Sequence, residues 1–484
     1  MERNLTSATQ SDAEPADREL TTDVLVVGRG ASGSGAPLQA LRVGARVMVL
    51  EKRAVNGGSA SVSAGGFWTF EDFEAFRALA PDGDPAMQQK LVDSFPAAVE
   101  FLRSAGITVA GRPHLTQANM GISYKIEIQD LLDHALDAVR SEGGSVLLGT
   151  AARSLLWNGR EVEGVIAVGA GGARLRINAR SVALASGGFQ GSPEILARYV
   201  GLNYDQLLLR SNPGSVGDGF RLASSVAASG TKGMSDFYGH LIASPVISFD
   251  SNEFRPLTQY HSSASILVNV RGWRIMDETI GDAVLAQVIV RQPNARGVLV
   301  FDDHVRRTDA SKEPAPGVGD VDRFAYAEAK GARVACAPTL EALIDEVATW
   351  GIERAELNRT VHEYCGAIEN RRPFARGVPV ASTARAPQTG PYYAVDVRPA
   401  ITFTFGGIRA SVDGEVLDHD GVTIPGLFAG GGHVGGISGV GYAGGLAPCF
   451  IAGMWAGDSA ARWARGDATA SAEACPESKG ETAQ

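Results

Sequence analysis

The chain has 484 residues, 44% of them apolar and 20% charged, which is enough to bury large cores and excludes a disordered polypeptide. A net charge of −10, without any run of Lys or Arg able to track a phosphate backbone, argues against nucleic acid as a partner. The four cysteines, Cys336, Cys365, Cys449 and Cys475, fall in no disulfide, zinc, iron–sulfur or covalent-haem spacing, so no metal site is expected.

Residues 1–20 are polar and acidic and read as a flexible tail, without the basic and apolar regions of a signal peptide. No later stretch offers 18 uninterrupted apolar residues, so no integral membrane segment is expected and the location expected is cytoplasmic. A β-branched run at 23–27 predicts a strand, Gly28-Arg29-Gly30-Ala31-Ser32-Gly33 a tight turn, and the Ala/Leu-rich stretch to 43 a helix. A second strand at 45–50 ends at Glu51, 23 residues after Gly28. Helical spacing follows over 87–106 and 127–143, the second stopped by Gly143-Gly144, with a polar loop predicted over 111–123. Residues 145–185 read as short strands in an antiparallel excursion, and Gly169 to Gly172 as a β-turn rather than a second nucleotide site. The stretch 241–390 mixes strands, helical patterns at 323–331 and 339–369, and a Pro-rich loop at 313–317. Glycine-dense strands return over 393–446, followed by a helix at 448–465.

Glycines at 28, 30 and 33 permit a tight turn and let backbone approach a pyrophosphate, which then sits on the positive end of the next helix. Glu51 is placed to accept a ribose hydroxyl. Strand, glycine motif, helix, strand and terminal acid together specify a dinucleotide. NAD and FAD both use this unit. A second small-residue loop, Gly57-Gly58-Ser59-Ala60 and Ser63-Ala64-Gly65-Gly66 after Lys52, suits a larger, extended cofactor, as do the strand end Ala185-Ser186-Gly187 and the patch Gly430-Gly431-Gly432.

With these motifs in this order, the sequence resembles the flavin-binding family that includes the fumarate reductase and succinate dehydrogenase flavoproteins, the ketosteroid dehydrogenases and tricarballylate dehydrogenase. The resemblance covers 23–240 and 395–460. It implies an α/β fold: a Rossmann-like FAD-binding domain with an inserted α+β capping domain that carries substrate residues. The divisions expected are a tail at 1–20, the FAD-binding domain at 21–240 and 393–465, the cap at 241–392 and a tail at 466–484. The resemblance also brings Ala151, Ala152, Asp218, Gly445 and Leu446 to the cofactor. Covalent members attach FAD to a His near the 57–66 loop; no His stands there, so noncovalent FAD is expected.

Fumarate-reducing members clamp two carboxylates and deliver a proton from an Arg. At the positions matching these cations stand Tyr442, Phe403 and Asp282. A dicarboxylate would find little to pair with, which points to a neutral ketone. Ketosteroid dehydrogenases carry a Tyr where Tyr442 stands, and a phenol suits donation to a developing enolate oxygen, with a backbone N–H near Leu446 as second donor. Packing beside the flavin is the competing role for Tyr442. Asp282, or a cap tyrosine, is the candidate base for the α-proton, and a plain acid at a helix N-terminus is its competing reading. His240, Tyr124, Tyr260 and His261 are further substrate candidates. The leading expectation is an FAD-dependent dehydrogenase that desaturates a cyclic or steroid-like ketone and passes electrons to an unidentified acceptor. NAD(P)H is not expected to bind this chain. The rival is a fumarate reductase-like or tricarballylate dehydrogenase-like enzyme for a carboxylate, with Arg271, Arg274 and Arg409 as cations; a noncatalytic flavoprotein is the third.

Overall fold

The computed structural model describes residues 17–55, 57–116, 121–313, 319–370 and 378–467, and over 111–116 the backbone alone. Its first layer is a sheet in which Thr423–Ala429, Arg174–Leu184, Arg18–Val27, Val47–Glu51 and Ser145–Leu148 lie side by side and parallel. Helices cover this sheet, and Val24 to Val27 and Val47 to Leu50 are accordingly unbroken buried apolar runs. Helix Ala31–Arg42 crosses helix Leu446–Arg465 at glycine-limited distance: a Cβ on Gly35 would lie 2.2 Å from the Phe450 carbonyl oxygen. Strands Ala151–Trp157, Val162–Val168 and Arg174–Leu184 form the expected antiparallel excursion.

The second sheet is organised by the long strand Tyr392–Thr404. It pairs with Leu208–Leu209, Phe237–Ala243, Gly297–Asp302 and Val334–Ala337, and Ile266–Asn269 joins through Gly297–Asp302. The expected division at 240/241 falls inside Phe237–Ala243, and that at 392/393 falls at the start of Tyr392–Thr404. Backbone pairing of these two strands therefore ties both boundaries into one sheet.

Several expected elements shift. The first strand begins at Arg18, because Arg18, Glu19 and Leu20 pair with Leu175, Arg176 and Ile177, so residues 18–20 are strand rather than tail. The helices at 87–106 and 127–143 are Pro85–Ser104, capped by the Asp84 carboxylate, and Ile128–Ser141. Of the loop expected at 111–123, residues 117–120 lie outside the described residues and the rest is instead strand: Val109–Thr116 and Gly121–Ile126 pair antiparallel, with Gly66–Phe70 on the other edge. The inward positions Gly121 and Ser123 are small or polar, so no apolar alternation announces the strand. The pattern at 339–369 divides into Leu340–Ala348 and Arg354–Glu369, with Gly351 at φ +84° between them. The Pro-rich loop at 313–317 lies, after Glu313, outside the described residues, as does the C-terminal tail from 468. Among the described residues no helix is long and apolar enough to cross a membrane.

Candidate functional site

Loops leaving the carboxyl ends of the parallel strands meet at the point where the strand order reverses, where open α/β sheets bind ligands. A cavity of about 370 Å³ opens there and runs on to the second sheet. At its first end Gly28 has φ +111°, and a Cβ there would lie 2.5 Å from the Ala185 carbonyl oxygen. By contrast, a Cβ on Gly30 would meet nothing within 4 Å, because Gly30 faces the cavity. Gly30 also caps helix Ala31–Arg42 without a capping side chain, so the free N–H groups of its first turn are available to a phosphate. The buried Glu51 carboxylate accepts from the Arg29 and Arg53 backbone N–H groups at 3.2 and 2.9 Å. Lys52 pairs with Asp218 at 2.5 Å, and the Ser59 hydroxyl meets that of Ser211 at 2.6 Å. Among the described residues the buried Gln190 leaves its Oε1 without a partner at the cavity wall.

This set fits a dinucleotide: a glycine cradle, a helix N-terminus, a fixed carboxylate and an orphaned acceptor. Of the cofactor residues expected, Gly28, Gly30, Ala31, Ser32, Glu51, Lys52, Gly58, Ser59, Ala60, Ser63, Ala64 and Gly66 line the cavity. So do Ala151, Ala152, Ala185, Ser186, Gly187, Asp218, Gly445 and Leu446. Gly33, Gly57, Gly65, Gly430 and Gly431 do not. Each instead packs close against its neighbours, as where a Cβ on Gly33 would lie 2.1 Å from the Gly28 carbonyl oxygen and one on Gly430 2.4 Å from that of Ala452. Glu51→Ala is expected to weaken FAD binding about 10- to 100-fold, the worth of one or two hydrogen bonds to a charged group, read by titrating apoprotein with FAD.

The far end is walled by aromatic side chains: Trp68, Tyr124, Tyr238, Tyr260, Phe403 and Tyr442. Tyr442 stacks on Tyr238 with centroids 3.7 Å apart and rings 10° from parallel, and Trp68 meets it edge-on at 5.1 Å. Burial pushes both phenols above the usual range, so both carry their protons at neutral pH. Helix Leu446–Arg465 starts beside Tyr442 behind Gly445, again without a capping side chain, so backbone N–H groups stand near the phenol.

Asp282 and His240 do not line the cavity. Asp282 opens helix Asp282–Ile289, the place its competing reading gave it, and contacts Nδ1 of His240. Nε2 of His240 lies 2.8 Å from the hydroxyl of Tyr238, a residue that does line the cavity. His261 is buried with its ring against Phe301 at 4.5 Å and does not line the cavity. Tyr238 was not among the residues expected; its place two before His240, at strand spacing, is the signal that could have found it. Arg210 and Arg255, which also line this end, lie on irregular segments with no periodic signal. They correct the expectation that cations are missing here. Arg274, by contrast, is buried against Glu278 at 2.7 Å, and neither Arg271 nor Arg409 lines the cavity.

Comparison with known proteins agrees with this geometry. The model of the FAD binding domain family matches residues 23–446. The NADH:fumarate oxidoreductase of Klebsiella pneumoniae (strain 342) is 28% identical over 470 residues, covering 92% of this chain and 48% of that protein. The chain thus spans about half the length of that relative. The fumarate reductase (cytochrome) of Shewanella frigidimarina is 26% identical over 475 residues, covering 92% of this chain and 78% of its own. The crystal structure of 3-ketosteroid delta1-dehydrogenase from Sterolibacterium denitrificans shares the fold, with TM-score 0.72 at 19% identity over 91% of this chain and 99% of that one. A cradle built for a dinucleotide and a family match over most of the chain lead to one assignment: this protein belongs to the FAD binding domain family, as an FAD-dependent oxidoreductase related to the fumarate reductase flavoproteins.

Proposed function

We propose that the enzyme desaturates a cyclic ketone at the bond next to its carbonyl, and that the substrate also carries a carboxylate. The observation that supports the first part is the position of Tyr442. Its protonated phenol faces the cavity beside the start of a helix whose first N–H groups lack a side-chain cap. Two such donors stabilise negative charge that develops on a carbonyl oxygen when the adjacent carbon loses a proton. Bound FAD supplies the two-electron acceptor for the second hydrogen, which leaves as hydride. Trp68, Tyr238, Phe403 and Tyr442 form an aromatic wall that excludes water and suits the flat faces of a ring.

The second part rests on Arg210. Among the described residues its guanidinium donates to neutral oxygens, those of Tyr260 at 3.2 Å, Thr402 at 3.3 Å and Phe254 at 3.4 Å. A cation so held, with Arg255 at the same end, favours an anionic group on the ligand.

The test is anaerobic mixing of the FAD-loaded protein with oxocyclohexane carboxylates, their methyl esters and saturated dicarboxylates, following the oxidised flavin band near about 450 nm. Bleaching is expected with the oxo acids at about 10-fold lower concentration than with the esters, and Arg210→Gln is expected to erase that preference. Bleaching by dicarboxylates alone would replace the ketone reading with the carboxylate one.

A further inference from the structure

Asp282 lies behind the cavity wall, yet two side chains connect it to the cavity. Tyr238 and His240 lie two apart on strand Phe237–Ala243, and Asp282 approaches from helix Asp282–Ile289. Tyr238 lines the cavity, the His240 side chain is 5% exposed, and that of Asp282 is 16% exposed. The three groups thus form a hydrogen-bonded line from the cavity towards solvent.

We propose that Tyr238, His240 and Asp282 form a proton relay in which Tyr238 exchanges the proton on the carbon next to the substrate ketone. The proposal rests on the ketone reading above. Tyr238 cannot serve as a free phenolate, because burial, reinforced by the neighbouring Tyr442, Asp282 and Tyr260, holds its proton on; the nearby Arg210 offsets this only in part. It acts as a base only by passing its own proton on as it receives another. His240 is suited to accept it. Its Nδ1 faces the Asp282 carboxylate, which fixes the proton on that nitrogen and leaves the Nε2 lone pair for the Tyr238 O–H.

In the step proposed, the bond between the α-carbon and its hydrogen breaks, and that proton joins the Tyr238 oxygen. The original phenol proton passes to Nε2 of His240. The electron pair left on carbon moves into the carbonyl, whose oxygen faces Tyr442. The imidazolium formed is paired with Asp282, which opens helix Asp282–Ile289. Ene-reduction runs the same transfers backwards.

The groups facing His240 are Tyr238, Asp282, Arg210 and the Tyr260 ring, whose centroid is 5.4 Å away. Burial and Arg210 favour its neutral form and Asp282 its charged form, with a net downward displacement. His240 is therefore neutral at neutral pH, and exchange should fall on the acid side as it becomes protonated. Removing the Asp282 charge takes away the one upward influence, so the acid limb should move to lower pH.

The experiment measures proton exchange alone. FAD-loaded protein is incubated in deuterium oxide with 3,3,5,5-tetramethylcyclohexanone or pyruvate, neither of which has a hydrogen β to its ketone, and NMR follows loss of the α-protons. Wild type should exchange at least one of them. Tyr238→Phe should lower the rate by about 100-fold or more, the scale of general acid–base catalysis. Asp282→Asn should lower it about 10-fold or more and move the acid limb to lower pH, and Asp282→Glu should restore most of the rate, with FAD content unchanged throughout. Exchange that needs Tyr442 but survives Tyr238→Phe, or an Asp282→Asn profile superimposable on wild type, overturns the relay and leaves the ketone reading standing. No exchange of either probe by wild type overturns both.

Discussion

Tyr442→Phe is expected to lower kcat/KM for ketone oxidation by about 100- to 1000-fold, the cost of removing one preorganised donor to a developing oxyanion. The substitution is clean in structural terms. Phe retains the ring that stacks on Tyr238 at 3.7 Å and meets Trp68 at 5.1 Å, so the aromatic wall and the FAD content should persist. Only the hydroxyl is lost, and burial has kept that hydroxyl a proton donor. Steady-state rates together with the flavin-to-protein ratio decide the matter. Turnover within a few-fold of wild type would mean that Tyr442 packs beside the flavin without polarising a carbonyl.

Gly28 and Gly30, two residues apart in the motif, should behave in opposite ways. Gly28→Ala places a side chain at φ +111° and drives its Cβ to 2.5 Å from the Ala185 carbonyl oxygen. Backbone strain of about 1–3 kcal/mol and overpacking of about 1–3 kcal/mol together approach the whole stability of many domains. The variant is expected to be insoluble, or to melt at a much lower temperature even without FAD. Gly30→Ala has ordinary backbone angles, φ −75° and ψ −162°, and open space around its Cβ. Its apoprotein should melt as wild type does, while FAD affinity falls about 10-fold or more because the methyl enters the cavity that backbone must share with the cofactor. Melting curves of both apoproteins and FAD titrations separate the two effects. Equal losses of stability would show that the motif shapes only the turn.

The first-sheet half of the site was legible because its information is local. Gly28, Gly30 and Glu51 belong to one short strand, turn, helix and strand, and their chemistry follows from spacing along the chain. The strand Gly121–Ile126 was not legible, because its inward positions include Gly121 and Ser123 and the burial that defines it comes from partners rather than from its own hydropathy. Arg210 shows the same limit at the site itself. It reaches the cavity because Leu208–Leu209 pairs with Ala400 and Ile401, residues almost two hundred positions away. Asp282 is expected as a base and His240 as a substrate residue, but neither lines the cavity: His240 stands one side chain behind Tyr238 and Asp282 two.

The sequence by itself determined the dinucleotide cradle, the Rossmann-like order of its elements and the identity of the residues that line it. These depend on glycine's backbone freedom, on apolar periodicity and on residue identity, all of which act over short stretches. Only the tertiary structure decided which side chains share the cavity. Strand Tyr392–Thr404 gathers Phe237–Ala243 and Leu208–Leu209 around it, which brings Tyr238, Arg210 and Phe403 to one wall and leaves Arg274 buried against Glu278 elsewhere. Long-range strand pairing sets those distances, and no pattern within any one segment encodes them.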